Sequence, residues 1–134
     1  MIHLDTTFLV DLLRERGRDA TGPASQWLGE HQDDELAISV FVACELYNGA
    51  ERSTRPDMET EKVRSVCEAV HLIYPDEHLP PVYGRVLADL QRRGETIAAM
   101  DLLIATTCLC HEAPLLTRNR RHFERVPGLR LLAY

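Results

Sequence analysis

The chain is short of several things, and each shortage removes a class of function. Lys62 is the only lysine among 15 basic residues. That leaves no late lysine to neutralise a phosphorylated aspartate, which argues against a phospho-acceptor domain. Cysteine is sparse. Cys44, Cys67, Cys108 and Cys110 contain no Cys-x-x-Cys pair, and Cys108 and Cys110, two apart on a predicted helix, face different ways. They are expected to be reduced, mostly buried thiols. The six histidines (His3, His31, His71, His78, His111, His122) show no His-x-x-x-His or His-Glu-x-x-His spacing for zinc. No glycine-rich phosphate loop is present, so nucleotide triphosphate chemistry is disfavoured. No apolar run approaches the roughly 20 residues of a membrane span. The opening Met-Ile-His-Leu-Asp lacks the basic region and cleavage site of a signal peptide. A cytoplasmic protein is expected.

What is present describes an ordinary folded domain. The 134 residues are 45% apolar and 27% charged, and a chain of this size buries roughly 70% of the surface that its unfolded form exposes. One domain over residues 1–134 is predicted. The net charge of −6 argues against a broad basic surface for duplex DNA, without excluding a nucleic-acid substrate. The arginines cluster at Arg14/Arg16/Arg18, at Arg92/Arg93 and at Arg118/Arg120/Arg121/Arg125. Guanidinium forks suit phosphate oxygens, and the last cluster is the first choice for phosphate contact.

Strand and helix patterns alternate. A short strand, Ile2 to Leu4, ends at Asp5, and Thr6 is placed to cap a helix from about Thr7 to Arg16. Gly22-Pro23 opens a second helix to about Glu30. Glu35 to Ser39 reads as a strand, and Ser39 caps a helix from Val40 to Arg52. A helix from Met58 to Ala69, a strand from Val70 to Tyr74, a turn over Pro75 to Pro81 and a helix from Val82 to Arg93 closed by Gly94 follow. A helix carrying Asp101 near its start runs to about Glu112. Pro114 to Thr117 is a strand, a helical turn lies around His122 to Arg125, and Leu129 to Leu132 forms a last strand. Such alternation predicts a central, mainly parallel sheet of about five strands in a three-layer α/β/α arrangement, with ligands at the carboxyl ends of the strands.

Three acids stand in apolar surroundings: Asp5 in Met-Ile-His-Leu-Asp, Glu45 in Phe-Val-Ala-Cys-Glu-Leu and Asp101 in Ala-Ala-Met-Asp-Leu-Leu-Ile-Ala. A buried ionised carboxylate costs several kcal/mol unless it is compensated. From the residues alone two readings stand. The three acids share a hard divalent cation, which prefers carboxylate oxygens, or each caps a helix or pairs with an arginine.

Four segments, in order, carry a resemblance that decides between these readings. Leu-Asp-Thr-Thr-Phe-Leu-Val-Asp-Leu-Leu near the start, Ile-Ser-Val-Phe-Val-Ala-Cys-Glu-Leu-Tyr-Asn-Gly-Ala (38 to 50), Met-Asp-Leu-Leu-Ile-Ala (100 to 105) and Leu-Leu-Thr-Arg-Asn-Arg-Arg-His-Phe (115 to 123) resemble the motifs of PIN-domain nucleases, above all the VapC toxins of bacterial toxin–antitoxin pairs. The resemblance implies a Mg²⁺-dependent endoribonuclease, with Mn²⁺ as a substitute. Asp5, Glu45 and Asp101 would be its catalytic and metal-site acids, with Thr6, Thr117 and Asn119 as supporting polar groups. An acidic cleft repels RNA unless nearby cations offset it, and Arg118, Arg120 and Arg121 are the candidates for that phosphate contact. Hydrolysis by an activated water would leave a 5′-phosphate and a 3′-hydroxyl. The resemblance also implies a homodimer and a small VapB-like antitoxin that blocks the cleft and alone reaches DNA. Phe8, Leu12 and Tyr47, on the helices at 7–16 and 40–52, are the expected landing surface or else core. Asn119 stands where many relatives have a fourth acid, which weakens a second metal site, and Thr7 stands where the family usually has Asn. The rival reading is a catalytically silent module with the same fold.

Overall fold

The computed structural model describes residues 1–134. Its elements are β1 (Ile2–Leu4), α1 (Thr6–Gly17), α2 (Pro23–Glu30), β2 (Leu36–Ser39), α3 (Val40–Glu51), α4 (Pro56–Ala69), β3 (His71–Ile73), α5 (Leu79–Arg93), α6 (Ala99–Cys110), β4 (Leu115–Leu116), α7 (Arg120–Phe123) and β5 (Leu131–Leu132). The strands form one sheet in the order β3-β2-β1-β4-β5, and every pairing is parallel. Because parallel neighbours need crossover connections, the helices cover the sheet and build the expected α/β architecture.

The chain leaves β1 towards β2 on one side and reaches β4 on the other, so the connections diverge between β1 and β4. Ligand crevices in open parallel sheets form at such a point, outside the carboxyl ends of the strands. His3 pairs with Leu115 and Leu4 with Leu116. That register carries Asp5 and Thr117, the next residue on each strand, side by side to the crevice floor, where Asp5 N–H donates to Leu116 O at 3.0 Å.

Local chemistry explains most element ends. The Ser39 hydroxyl accepts from Val42 N–H at 3.2 Å and starts α3, as expected. Gly94 closes α5 in the left-handed region, at φ 66°. Two expectations need correction. Thr6 is not a cap: α1 begins at Thr6, Asp5 occupies the capping position with extended backbone, and no side chain caps the helix. The Asp5 carboxylate is engaged elsewhere. The turn drawn over Pro75 to Pro81 ends early, because Pro80 and Pro81 lie in the first turn of α5. A missing N–H costs nothing there, since the first amides of a helix have no intrahelical partner.

The core joins both sides of the sheet through Leu4, Phe8, Ile38, Leu102, Leu115 and Phe123, all at most 2% exposed. Phe8 meets Trp27 and Tyr134 edge-on at 5.5 and 5.0 Å. Phe8 and Leu12 are therefore core residues, at 0% and 4% exposure, whereas Tyr47 is 38% exposed. The cysteines are free, as expected, but only Cys108 is buried; Cys44 is exposed and the other two are intermediate. Cys44 lies one residue before Glu45 on a helix that turns a second face outward. No helix is long and apolar enough to cross a membrane.

Candidate active site

Asp5 ends β1, Glu45 sits on the second turn of α3 directly after β2, and Asp101 lies in the first turn of α6. Three separate elements thus deliver the three acids to the crevice. Asp5 is buried, and Glu45 and Asp101 are half-buried. Burial pushes the Glu45 carboxyl up from its ordinary value, and the negative charges of Asp101 and Asp5 push it further, against a hydroxyl from Thr6 that favours the ionised form. Asp101 is pushed up by burial and then by Asp5, with His122 acting in the opposite direction. Those mutual effects place the three carboxylates in one field.

Each acid has one oxygen held by the protein. Asp5 Oδ2 accepts from the Thr117 hydroxyl at 2.7 Å and from the Thr7 hydroxyl at 2.9 Å. Glu45 Oε1 accepts from the Thr6 hydroxyl at 2.6 Å. Asp101 Oδ2 lies 3.4 Å from His122 Nδ1. The second oxygens, Asp5 Oδ1, Glu45 Oε2 and Asp101 Oδ1, have no protein donor, and none is sealed from solvent. No lysine or arginine pairs with any of the three; His122 is the one basic partner. Three acids with free oxygens and little compensating charge fit a hard divalent cation, as their residue types require. The oxygens are spread too widely to lie all within 4.8 Å of one another, a closeness reached only by Asp76, Glu77 and His78 on an exposed turn. A divalent ion held by Asp5, Glu45 and Asp101 would meet one or two of the carboxylates directly and the rest through its waters. The exposed trio is a local turn, in which Asp76 accepts from His78 N–H at 2.9 Å.

The supporting residues sort themselves around this frame. Thr6 and Thr117 both orient acids, as the motif positions imply. Asn119 touches no acid; its backbone N–H donates to Thr117 Oγ1 at 2.9 Å, and its side-chain amide lies 3.1 Å from His122 Nδ1. Arg118, whose backbone N–H donates to Thr7 Oγ1 at 3.1 Å, sends its guanidinium to Asp11 at 2.8 Å. Tyr134 donates to the same carboxylate at 2.6 Å. Arg120 is loosely paired with Glu124 at 3.6 Å, and Arg121 is exposed.

Sequence reasoning missed two of these residues. Thr7 was noted only as a departure from the usual Asn, yet its hydroxyl reaches Asp5 and anchors the loop after β4. His122 was set aside for lack of zinc spacing, yet it is the only basic group beside Asp101. A hydroxyl two residues after an acid at a strand end was the available signal for Thr7. His122 had none, because its partner lies on another helix.

A family model described as "PIN domain" matches residues 2–129. This chain belongs to the PIN-domain family. Ribonuclease VapC1 of Haemophilus influenzae (strain R2866) is 30% identical over 126 residues, 94% of this chain and 92% of that protein. Ribonuclease VapC1 of Methanocaldococcus jannaschii is 30% identical over 134 residues, 99% of this chain and 86% of that protein. Among solved structures, a chain of VapBC2 from Rickettsia felis, bound to a DNA fragment from its promoter, superposes with a TM-score of 0.89 at 26% identity, covering 100% of this chain and 99% of that one. Within the PIN-domain family the chain is thus a VapC homologue, and the silent-module reading is not favoured.

Proposed function

We propose that this PIN-domain protein is the toxin of a VapBC-type pair, a cytoplasmic Mg²⁺-dependent endoribonuclease that halts translation and growth until its antitoxin binds. The observation that carries the reading is the trio of Asp5, Glu45 and Asp101, brought by three elements to the switch point of the sheet with one free oxygen each and no arginine or lysine partner.

Asp5, Glu45 and Asp101 would hold a divalent ion through those free oxygens, directly or by way of its waters. When bound, the ion supplies positive charge that offsets the scissile phosphate and acidifies the attacking water. The residues of the chain do the positioning. Thr7 and Thr117 fix Asp5 from two sides, so its free Oδ1 has a defined direction before substrate arrives. Thr6 fixes Glu45 and His122 steadies Asp101. Whichever of Glu45 and Asp101 does not touch the ion directly would orient the water and take up its proton. In-line attack leaves a 5′-phosphate and a 3′-hydroxyl.

An apolar groove of about 370 Å³ lies between α1, α2 and α4, lined by Leu9, Leu12, Leu13, Leu28, Leu36 and Val66 among others. We assign it to an apolar segment of the antitoxin. Phe8 and Leu12 lie beneath this groove as core residues, at 0% and 4% exposure, and offer it little free surface. Tyr47 and Met58, exposed on α3 and α4, are available for a homodimer contact.

Mapping RNA ends after incubation with Mg²⁺, with Asp101→Asn as control, tests the reading. Cleavage products with 5′-phosphates that disappear in EDTA and in the control are expected. Equal cleavage by Asp101→Asn would show that the acids are not the engine.

A further inference from the structure

Two recesses beside the acid site meet at the same pair of arginines. One, of about 380 Å³, is lined by Asp11, Arg14, Arg18, Arg118 and Tyr134 among eight residues. The other, of about 550 Å³, shares Arg14 and Arg18 and extends to Glu45. Together they form a furrow along α1 with the acid site at its head. Thr7, Asp11 and Arg14 are spaced to lie on one face of α1, and Arg18, which follows the helix, continues that stripe. At the helical rise, Arg14 and Arg18 lie about 10 and 16 Å along the axis from Thr7, whose hydroxyl touches Asp5.

The charges in the furrow are not balanced internally. Glu15 is consumed by the backbone N–H groups of Gly22, Ala24 and Ser25, at 2.9, 3.1 and 2.8 Å. Asp11 is consumed by Arg118 and Tyr134. Arg14 and Arg18 are exposed and form no ion pair with any acid. In a chain of net charge −6, two unpaired guanidinium groups in a furrow that starts at the acid trio mark where an anionic polymer can lie. Their fork geometry suits phosphodiester oxygens.

Resting on the ribonuclease reading, we infer that single-stranded RNA runs from the acid site along α1, with backbone phosphates held by Arg14 and Arg18. Arg118 stands at the junction, tied to Asp11. This adds α1 to a phosphate path that otherwise has only the α7 arginines, of which Arg120 is loosely paired with Glu124 and Arg121 is exposed. Arg14 also faces the carboxyl end of the α1 dipole. That role affects stability but not the salt dependence of RNA binding.

The test uses the full chain and a labelled single-stranded RNA, with affinity measured in EDTA across a salt series and cleavage measured with Mg²⁺. The double variant Arg14→Ala/Arg18→Ala should weaken binding and raise KM by about tenfold, with kcat unchanged. It should also flatten the slope of log affinity against log salt by about 1.4, the value for two lost phosphate contacts on a single strand. Arg14→Lys/Arg18→Lys should keep most of the slope, and Arg92→Ala should change nothing. A wild-type slope and KM in the double variant overturn the inference, as does equal flattening by Arg92→Ala. If the double variant binds RNA normally but is no longer inhibited by poly-glutamate, the furrow serves an acidic protein and the inference is overturned. Wild type that binds RNA through these arginines in EDTA yet never cleaves it removes the nuclease reading and leaves the furrow standing.

Discussion

His3 on the central strand β1 and Asp5 just past its end lie two residues apart, both almost wholly buried, at 2% and 3% exposure, and the chain treats them in opposite ways. His3 Nε2 has no hydrogen-bond partner. Burial, then the neighbouring His111, whose ring centre is 5.6 Å away, and then the N-terminus hold its pKa down to about 4. His3 therefore avoids the cost of a buried charge by giving up the charge. Asp5 instead receives two hydroxyls on one oxygen and keeps the other free. A buried ionisable side chain is tolerated here either as a ring that stays neutral or as a carboxyl group held by hydroxyl donors, and the second leaves an oxygen of the kind that hard cations prefer.

Asp5→Asn challenges this contrast most strongly. It should lower RNA cleavage by about a thousandfold, the scale seen when one charge-stabilising group is removed. In EDTA it should leave the protein as stable or raise its stability by about 1 kcal/mol, because Glu45 and Asp101 lose a repulsive neighbour. Chemical denaturation and end-labelled cleavage measure the two effects; a fold that collapses would mean that Asp5 is structural, as His3 is.

Next in size is a pH effect confined to His3. Its folded pKa lies below the unfolded value of 6.5, so the unfolded chain takes up the proton first. Stability is full above about pH 6.5 and is lost as pH falls towards 4, by about 3 kcal/mol in all. His3→Leu should remove that loss while leaving cleavage at pH 7 within about twofold. Denaturation of both proteins along a pH series checks it, and parallel curves would show that His3 is protonated or partnered in the folded state.

Thr117→Ala sharpens the other half of the contrast. It deletes a buried hydroxyl donor to Asp5 and the acceptor for Asn119 N–H, so stability should fall by about 1–2 kcal/mol. Cleavage should fall by about tenfold as Asp5 loses its orientation, and Thr117→Ser should restore both. Failure of Ser to rescue would assign the loss to the methyl group and its packing. The smallest effect expected is that of Arg120→Ala. It breaks an exposed pair with Glu124 at 3.6 Å and should change stability by less than about 0.5 kcal/mol and RNA affinity hardly at all. A large loss of affinity would make Arg120 a main part of the phosphate path.

Much of the fold was legible because its signals are local. β1 and α2, the Ser39 cap and the Gly94 stop each follow from a few adjacent residues, and the strand and helix alternation implied the parallel sheet. The α5 start was misread because proline breaks helices in their interior but not in their first turn, and the pattern does not say which applies. The acids were legible as anomalies, polar residues inside apolar words. His122 was not, since an imidazole carries no mark of the partner that it will meet, and Thr7 offered only a hydroxyl two residues after an acid at a strand end. Tyr47 and Phe8 looked alike in sequence, yet one is exposed and the other is core.

By itself, the sequence determined the element order, the parallel class and the identity of the three acids, because periodicity, capping and apolar context act over a few neighbouring positions. Only the tertiary structure decided which oxygen of each acid is held and which is free, and which arginines are left unpaired. Those outcomes depend on contacts such as Thr117 to Asp5, formed between residues 112 positions apart. A hydrogen bond needs its two atoms within about 3 Å, and no local pattern sets that distance across the sheet.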